Sequence, residues 1–518
     1  MQAASEDLTL ENSALYRSQL QQTFQAKLDS SSLTRPMWML WILSAGLIAL
    51  DGFDFFVIGV AMPFIRRDFG LSAGWVGAIA TAALVGALVG SLTLGPITDR
   101  VGRQRMLIVD IGLFIVASLA TALAWNAWSL LFFRFLVGVG IGADYPISVA
   151  YITENTPARF RGRMVIGAFS FQAVGAVLGA VVGWLTLLVY QRIAPELAIE
   201  YAWRWMLGVG VVLSLVVGGL RLLFQLESPS YHLAKGEYQE AAEAASQLLG
   251  QEIELQPNLQ NCQDSGVNSD SDRTGTKTDR LGYRDLFSPR YRQQSAIAAI
   301  PWFLQDIATY GIGIFTPTII TAITNNGSPP TQAPLSVSST AQTPLSQSLI
   351  EQSSTIQTLL TQEIASARGA AIVNVFLILG FLFAILFINR IGRIPLQITG
   401  FVGMALGLII LSFAGNAQHI GLLFAGFILF NFTMNLGPNA TTFLLSGEVF
   451  PPAIRASGAG LASGIAKAGA VLGALGLPII QATVGLTQLL QGLALICLLA
   501  AAITYGLRQA VTSPFPAE

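Results

Sequence analysis

Long runs of hydrophobic residues alternate with short polar stretches along most of the chain. Six runs come first, a long polar interval follows, and six more runs complete the pattern. An α-helix needs roughly 20 apolar residues to cross a bilayer, and the runs reach that length. We therefore expect twelve transmembrane helices, near residues 37–63, 71–97, 105–125, 127–152, 164–190, 201–226, 293–322, 368–389, 393–415, 419–445, 455–484 and 486–507.

The order of these runs predicts an all-α membrane protein built from two six-helix halves. Lys and Arg residues indicate its orientation, because cytoplasmic loops carry an excess of them. Most of those outside the long interval fall on the side that also holds both chain ends. The expected parts are a cytoplasmic tail (1–36), a first half (37–226), a cytoplasmic linker (227–290), a second half (291–508) and a cytoplasmic tail (509–518).

The polar segments carry no recognisable chemistry. The linker begins with a short amphipathic helix near Glu237–Leu249 and continues through Gln256–Thr278, whose Ser, Asp and Thr content is typical of disorder. A second polar insert, at about 323–367, is expected on the external side, and its stretch Leu349–Ala367 could form a helix. A tether or a partner contact is possible for either segment, and a tolerated insertion is the simpler interpretation.

Composition supports a membrane protein and argues against several other classes. Hydrophobic residues make up 53% of the chain and charged residues 11%, against about 25% charged in soluble domains. A net charge of −1 gives no reason to expect a nucleic-acid partner. We find no metal-ligand spacing, phosphate-cradling loop or nucleophile arrangement, so the sequence predicts neither an enzyme nor a cofactor or metal. The expected location is a cell membrane, with a bacterial inner membrane favoured, and the expected state is a monomer.

Small residues recur at a spacing of four within several predicted helices. Such faces let helices approach one another closely. They predict close packing and say nothing about function. The residues are Gly86 and Gly90, then Gly175, Gly179 and Gly183, then Gly469 and Gly473.

Charged residues inside the predicted helices are the most informative positions. A charge at a helix centre costs roughly 2.5–3.5 kcal/mol on insertion scales, so such residues should face an aqueous path or one another. Some could be structural pairs that lock helices together, above all Arg134 and Asp54. The set contains Asp51 and Asp54 in the first helix, Arg134 and Asp144 in the fourth, Asp306 in the seventh and Lys467 in the eleventh.

Polar and aromatic residues accompany these charges at helical spacing. Trp302, Asp306 and Tyr310 lie four residues apart and share one face of the seventh helix. A lysine with hydroxyl, indole and amide donors suits an oxyanion, while a carboxylate beside it suits a substrate that has its own O–H. Dihydrogen phosphate has both features and sulfate lacks the hydroxyls. Asp51, midway along its helix, could carry a proton if it is reached in turn from the two aqueous sides.

Two segments resemble a known superfamily. Gly95-Pro-Ile-Thr-Asp99-Arg100-Val-Gly102-Arg103 resembles the major facilitator signature between helices two and three. Asn389-Arg390-Ile-Gly392-Arg393 is a weaker copy in the second half, with Asn in place of Asp. The resemblance implies a tight cytoplasmic turn at the glycines and a charge network of Asp99, Arg100 and Arg103 that holds the halves together.

Other segments resemble the phosphate:proton symporter branch of that superfamily. The resemblance covers both halves and excludes the tails and the two inserts. Ala143 and Thr309 depart from the usual pattern. The matching residues are Gly140-Ile-Gly-Ala-Asp144-Tyr145-Pro-Ile-Ser148, Asp51-Gly-Phe-Asp54, Trp302-Phe-Leu-Gln-Asp306-Ile-Ala-Thr-Tyr310, Asn435-Leu-Gly-Pro-Asn439-Ala-Thr-Thr-Phe443 and Lys467.

This resemblance implies a proton-coupled symporter for inorganic phosphate that works by alternating access. It implies a proton path through Asp51, Asp54 and Asp144. Two alternatives stay open: a proton-coupled porter for an organic anion or a sugar, and a nutrient receptor with a transporter fold. The substrate-binding residues that the resemblance implies are Tyr145, Gln172, Trp302, Asp306, Tyr310 and Asn439, with Lys467 tuning the site.

Overall fold

The fold consists of long helices, and every regular element in the described ranges is helical. The computed structural model describes residues 19–253, 283–313, 345–417, 420–451 and 454–512. We number the long helices in chain order. Their bounds are α1 Arg35–Asp68, α2 Ala73–Val101, α3 Arg103–Ala122, α4 Ala127–Glu154, α5 Ala158–Ile193, α6 Ala198–Leu223, α7 Arg292–Gly313, α8 Leu345–Ile391, α9 Arg393–Ala417, α10 Ile420–Leu436 with Pro438–Glu448, α11 Arg455–Val484 and α12 Leu486–Gly506.

Eleven of these helices are long and apolar enough to cross a membrane. The exception within the described residues is α7, whose amide and carboxyl side chains at Gln293, Gln294, Gln305 and Asp306 lower its hydropathy. It packs along α11 and α12, so its position among the membrane helices follows from its contacts. The predicted end of this helix, residues 314–322, lies outside the described residues. The twelve-helix fold predicted from the hydrophobic runs is confirmed.

The two halves repeat one pattern of helix pairing. In the first half α1 packs along α5 and α6, α2 along α4, and α3 along α6. The second half has the same contacts with six added to each helix number: α7 packs along α11 and α12, α8 along α10, and α9 along α12. The halves meet where α2 contacts α11 and α5 contacts α8, two contacts related by the same shift. Repeats of this kind place the substrate site near the membrane midplane, between the halves.

Glycines permit the closest of these contacts. A Cβ added to Gly86 would lie 2.0 Å from the carbonyl oxygen of Phe135 on α4, and one added to Gly469 would lie 2.3 Å from that of Phe303 on α7. Helix backbones therefore touch at these positions, which confirms the close packing predicted from the small residues.

Gly175→Ala is expected to destabilise the protein strongly. Its Cβ would lie 1.9 Å from the carbonyl oxygen of Ala49, so α1 and α5 would have to separate. Overpacking costs typically about 1–3 kcal/mol, and a clash with backbone belongs at or above the upper end. Gly208→Ala on α6 is the matched control, because nothing lies within 4 Å of its Cβ. Thermal unfolding in detergent should show a lower Tm for Gly175→Ala alone; equal Tm values for the two variants would contradict the packing argument.

Residues 19–30 and part of the linker form a small helical layer. The linker contains helices Pro229–Lys235 and Tyr238–Leu249, the second over the predicted amphipathic stretch. A helix over residues 19–30 packs against them, with Phe24 and Leu28 fully buried in the same apolar core as Leu248. The segment predicted to be disordered, Gln256–Thr278, lies outside the described residues.

The helix that the sequence permits at Leu349–Ala367, in the second insert, is continuous with α8. α8 has 47 residues, which is about 70 Å of helix, more than twice the 30 Å hydrocarbon core. Residues 345–367 therefore extend α8 well beyond the predicted span of 368–389.

The two ends of the molecule are named by residues that they carry. The "motif face" is the end that carries Asp99 and Arg103, and the "opposite face" is the end that carries Asp68 and Ile193.

Candidate functional site

A cavity of about 60 Å³ lies between the two halves. Water needs about 10–15 Å³ in this measure, so the cavity has room for about four water-sized groups. Helices α1, α5, α7, α8, α10 and α11 all contribute to its wall. Six of the seven predicted substrate-binding residues line it: Gln172, Trp302, Asp306, Tyr310, Asn439 and Lys467.

Lys467 forms a buried polar cluster with two residues of α7. Its Nζ donates to Asp306 Oδ2 at 3.2 Å and to the Tyr310 hydroxyl at 2.8 Å. Asp306 and Tyr310 lie one turn apart on the face that the four-residue spacing predicted, and the close α7–α11 contact at Gly469 brings Lys467 to them. Lys467 is 1% exposed and Asp306 2%, so the pair is shielded from water.

Tyr145 lies behind the cavity wall and connects to it through Gln172. The Gln172 side-chain amide donates to the Tyr145 hydroxyl at 3.0 Å. Lys467 Nζ lies 5.1 Å from the centre of the Tyr145 ring, within cation–π range. The structure thus brings all seven predicted substrate-binding residues together.

Stacked aromatic rings close the cavity toward the motif face. Phe169 of α5 and Phe443 of α10 stack across the two halves with ring centres 3.7 Å apart. Trp302 meets Phe443 edge-on at 4.5 Å, and Tyr145 lies 5.3 Å from the same ring. An anion in the cavity would therefore be separated from the motif face by apolar rings.

Side-chain amides form a chain along the wall of the second half. Gln305 donates to Asn439 Oδ1 at 3.1 Å, and Asn439 donates to Asn435 Oδ1 at 2.7 Å. Asn374 of α8 is 3% exposed, and its Nδ2 makes no hydrogen bond among the described residues. The sequence analysis missed Asn374, which lines the cavity, and Gln305, which bonds to the cavity residue Asn439. Their signal was weak: Gln305 adjoins Asp306, and Asn374 interrupts the apolar run of its helix.

Two of the predicted proton-coupling carboxylates lie in the first half with an unused oxygen. Asp51 and Asp144 are 2% and 1% exposed, and each has an Oδ2 without a hydrogen-bond partner in the described part of the chain. Asp144 Oδ1 accepts a hydrogen bond from Ser148 at 2.6 Å. Asp51 adjoins Gly52, which lines the cavity, so it connects this region to the substrate residues.

Two further charges, Asp110 of α3 and Arg221 of α6, lie in the same region and were missed from the sequence. Asp110 Oδ1 lies 3.2 Å from where a Cβ on Gly140 would be, one turn before Asp144. Arg221 is 1% exposed, and its guanidinium lies 5.0 Å from the centre of the Tyr151 ring. Both fall inside predicted helices, so the criterion that singled out Asp51 would have found them.

Asp54 has a different environment from Asp51. Arg134 Nη1 lies 2.6 Å from one of its carboxylate oxygens and 2.7 Å from the other. This ion pair ties α1 to α4, as in the structural alternative left open for these two residues. A role for Asp54 in proton coupling stays a prediction.

The signature residues connect the halves at the motif face. Asp99 Oδ2 accepts hydrogen bonds from the Ser457 backbone N–H at 2.9 Å and from its hydroxyl at 2.7 Å, across the α2–α11 contact. Its Oδ1 pairs with Arg103 at 3.2 Å, and Arg103 also pairs with Glu154 at 2.9 Å. In the second half Arg393 and Glu448 form the equivalent pair at 2.8 Å.

The glycines of the signature fit the contacts around them. Gly102 has φ +112°, a conformation that L side chains rarely adopt, and begins α3 directly after α2. A Cβ on Gly95 would lie 2.8 Å from the carbonyl oxygen of Ala456 on α11. Arg100 is exposed, and its backbone carbonyl accepts a hydrogen bond from Tyr231 at 3.2 Å.

The model of the family described as "Sugar (and other) transporter" matches residues 38–362 and 353–511. The chain belongs to this family of the major facilitator superfamily. Its fold and family are those of membrane transporters, in agreement with the prediction that it is not an enzyme.

Relatives within this family differ in their named substrates. The chain is 29% identical to the putative metabolite transport protein YaaU of Escherichia coli, over 89% of this chain and 88% of the relative. It is 26% identical to the probable inorganic phosphate transporter 1-6 of Arabidopsis thaliana, over 88% of both chains. The proton:xylose symporter XylE of E. coli shares the fold, with a TM-score of 0.68, 18% identity and coverage of 92% of this chain and 96% of that one.

Proposed function

We propose that this transporter is a proton-coupled symporter for inorganic phosphate that works by alternating access. The observation that carries the proposal is the buried cluster of Lys467, Asp306 and Tyr310 in the cavity between the halves. The similarity to plant phosphate transporters supports it. Metabolite and sugar transporters also occur among the matches, so the experiments below include an organic anion and a sugar.

The cavity chemistry suits an anion that both accepts and donates hydrogen bonds. A cation and the hydroxyl, indole and amide groups of Tyr310, Trp302 and Asn439 can donate to phosphate oxygens. The Asp306 carboxylate can only accept, so it fits a phosphate hydroxyl. When phosphate enters, Lys467 can exchange part of its contact with Asp306 for a phosphate oxygen. The buried charges then remain compensated, as buried charges must be.

Proton coupling is proposed for Asp51 and Asp144. Each has a carboxylate oxygen that can take a proton, in the half of the molecule that faces Lys467 across the cavity. A proton bound here while phosphate occupies the site would move with it when the cavity changes its access. We propose further that the motif face is cytoplasmic, that both termini lie on that side of the cell membrane, and that the protein acts as a monomer.

An inward acid gradient is expected to drive phosphate accumulation. Purified protein in liposomes should concentrate labelled phosphate when the outside is acidic, because protons bound at the buried carboxylates then run downhill. A protonophore should abolish accumulation. Phosphate uptake that does not depend on the proton gradient would contradict proton coupling.

The same preparation tests the alternative substrates. Competition by sulfate, by an organic anion and by a hexose, each in excess, should leave phosphate uptake largely intact. Strong competition by the organic anion or the hexose would point to those classes instead. Phosphate binding without any turnover would favour a receptor.

A further inference from the structure

Residues 355–367 of α8, here called the α8 extension, belong to the second half of the chain and pack against the first half. The membrane part of α8 contributes Phe381 and Ile388 to the large core around the cavity. Ile356, Leu359, Leu360 and Ala367 instead join the apolar core at the opposite face of the first half.

The buried positions of the extension form one helical stripe. Residues 356, 359, 360 and 367 recur at spacings of three, four and seven, while 357, 361 and 365 are exposed. Leu360 is fully buried. Within its core the stripe joins Met62 and Ile65 of α1 and Leu187 of α5. The extension also contacts the short helix Pro195–Leu197 between α5 and α6.

Polar contacts reinforce this junction. Gln191 near the end of α5 donates to the Thr361 hydroxyl at 3.2 Å. The Glu363 carboxylate and the Arg67 guanidinium at the end of α1 attract one another. Apolar burial, a hydrogen bond and the attraction of two opposite charges thus join the extension to three elements of the first half.

We propose that the α8 extension is a latch that holds the opposite face closed. Opening this face requires the halves to separate there, and the extension then has to leave the first-half core or bend away from the rest of α8. Either movement exposes Leu360 and its neighbours. The latch therefore shifts the conformational equilibrium toward states in which the cavity is closed to the opposite face. The inference rests on the alternating access of the proposed function and not on phosphate as the substrate.

Leu360→Asp should open the opposite face. The reporter is Thr309→Cys, a cavity-lining position, in a background with Cys262→Ser. Labelling by a membrane-impermeant maleimide is measured in vesicles of both orientations. Because a buried leucine is replaced by a charge, we expect labelling from the opposite face to become about tenfold faster and labelling from the motif face not to rise. Gln357→Asp, exposed on the same helix, should label like the parent.

A charge exchange tests the latch without touching the core. Glu363→Arg and Arg67→Glu should each speed labelling from the opposite face about two- to fivefold, the effect expected when the attraction between two partly exposed opposite charges becomes a repulsion. The double variant should restore the parental rate. If Leu360→Asp does not fold, the two single charge variants and the double variant test the latch on their own.

Unchanged labelling in folded Leu360→Asp protein, or no rescue in the double variant, would overturn the latch. Neither readout involves phosphate. A failure of the latch therefore leaves the phosphate proposal standing, and a failure of phosphate uptake leaves the latch standing.

Discussion

Asp306→Asn should weaken phosphate binding about 10- to 100-fold and narrow the gap between phosphate and sulfate. The expected loss follows from one hydrogen bond to a charged group, which contributes about 1.5–3 kcal/mol. Asn keeps the shape of the side chain, removes the charge that pairs with Lys467, and replaces an acceptor oxygen with a donor. A phosphate hydroxyl loses its charged acceptor and keeps only a neutral amide oxygen, while sulfate no longer meets a negative charge and can accept a hydrogen bond from the new N–H.

Competition binding on purified protein measures both affinities in one experiment. Ser295→Ala is a suitable control, because this residue lies on α7, bonds to the Leu286 carbonyl at 2.7 Å and is absent from the cavity lining. Sites that hydrogen-bond a substrate hydroxyl reject analogues without it by 10⁴–10⁵-fold in favourable cases. If Asp306→Asn bound phosphate normally and still excluded sulfate, Asp306 would not be the residue that discriminates.

Asp51→Asn should abolish concentrative uptake and leave phosphate binding largely intact. Asp51 is buried at the cavity edge with an unused oxygen but does not line the cavity itself. An amide cannot take up and release a proton at this position, so the driving force is lost while the anion site keeps its donors. Exchange of internal for external phosphate at equal pH should persist, because it requires no net proton movement.

A matched control for this variant lies on the same helix. Ser44→Ala removes a buried polar group of α1 two turns away and should accumulate phosphate as the parent does. Weakened phosphate binding in Asp51→Asn, with the remaining uptake still driven by the proton gradient, would place this residue in the substrate site instead.

Much of the site could be predicted because the signals in the sequence each lay within a single helix. Buried charges stand out in an apolar helix, and the spacing of Trp302, Asp306 and Tyr310 is a property of one helix. The contact between Asp306 and Lys467 joins residues 161 positions apart. Spacing on a single helix cannot reveal it; the chemistry of oxyanion binding grouped the lysine with the carboxylate, and the resemblance then assigned Lys467 to this site. Asn374 shows the same limit, since hydropathy does not tell which side of a helix faces a cavity.

The fold was predictable where hydrophobicity marks the membrane and less so elsewhere. The predicted span 419–445 is divided at Gly437, the residue before Pro438, which begins the second segment of α10. Hydropathy is insensitive to that break because it is averaged over a window of about 19 residues, which is much longer than the break. The continuity of α8 through Arg368 was also hidden, because its part at the opposite face mixes apolar and polar residues and Arg368 adjoins the start of the hydrophobic run.

The Lys467–Asp306 pair has an electrical consequence for the transport cycle. A single charge moved across the membrane potential costs about 2.3 kcal/mol per 100 mV. In the empty carrier the two charges lie 3.2 Å apart and cancel, so the change of access without cargo moves almost no net charge at this site. Under the proposed function, the membrane voltage should therefore act through the anion, its accompanying protons and the carboxylates of Asp51 and Asp144, and not through the Lys467–Asp306 pair.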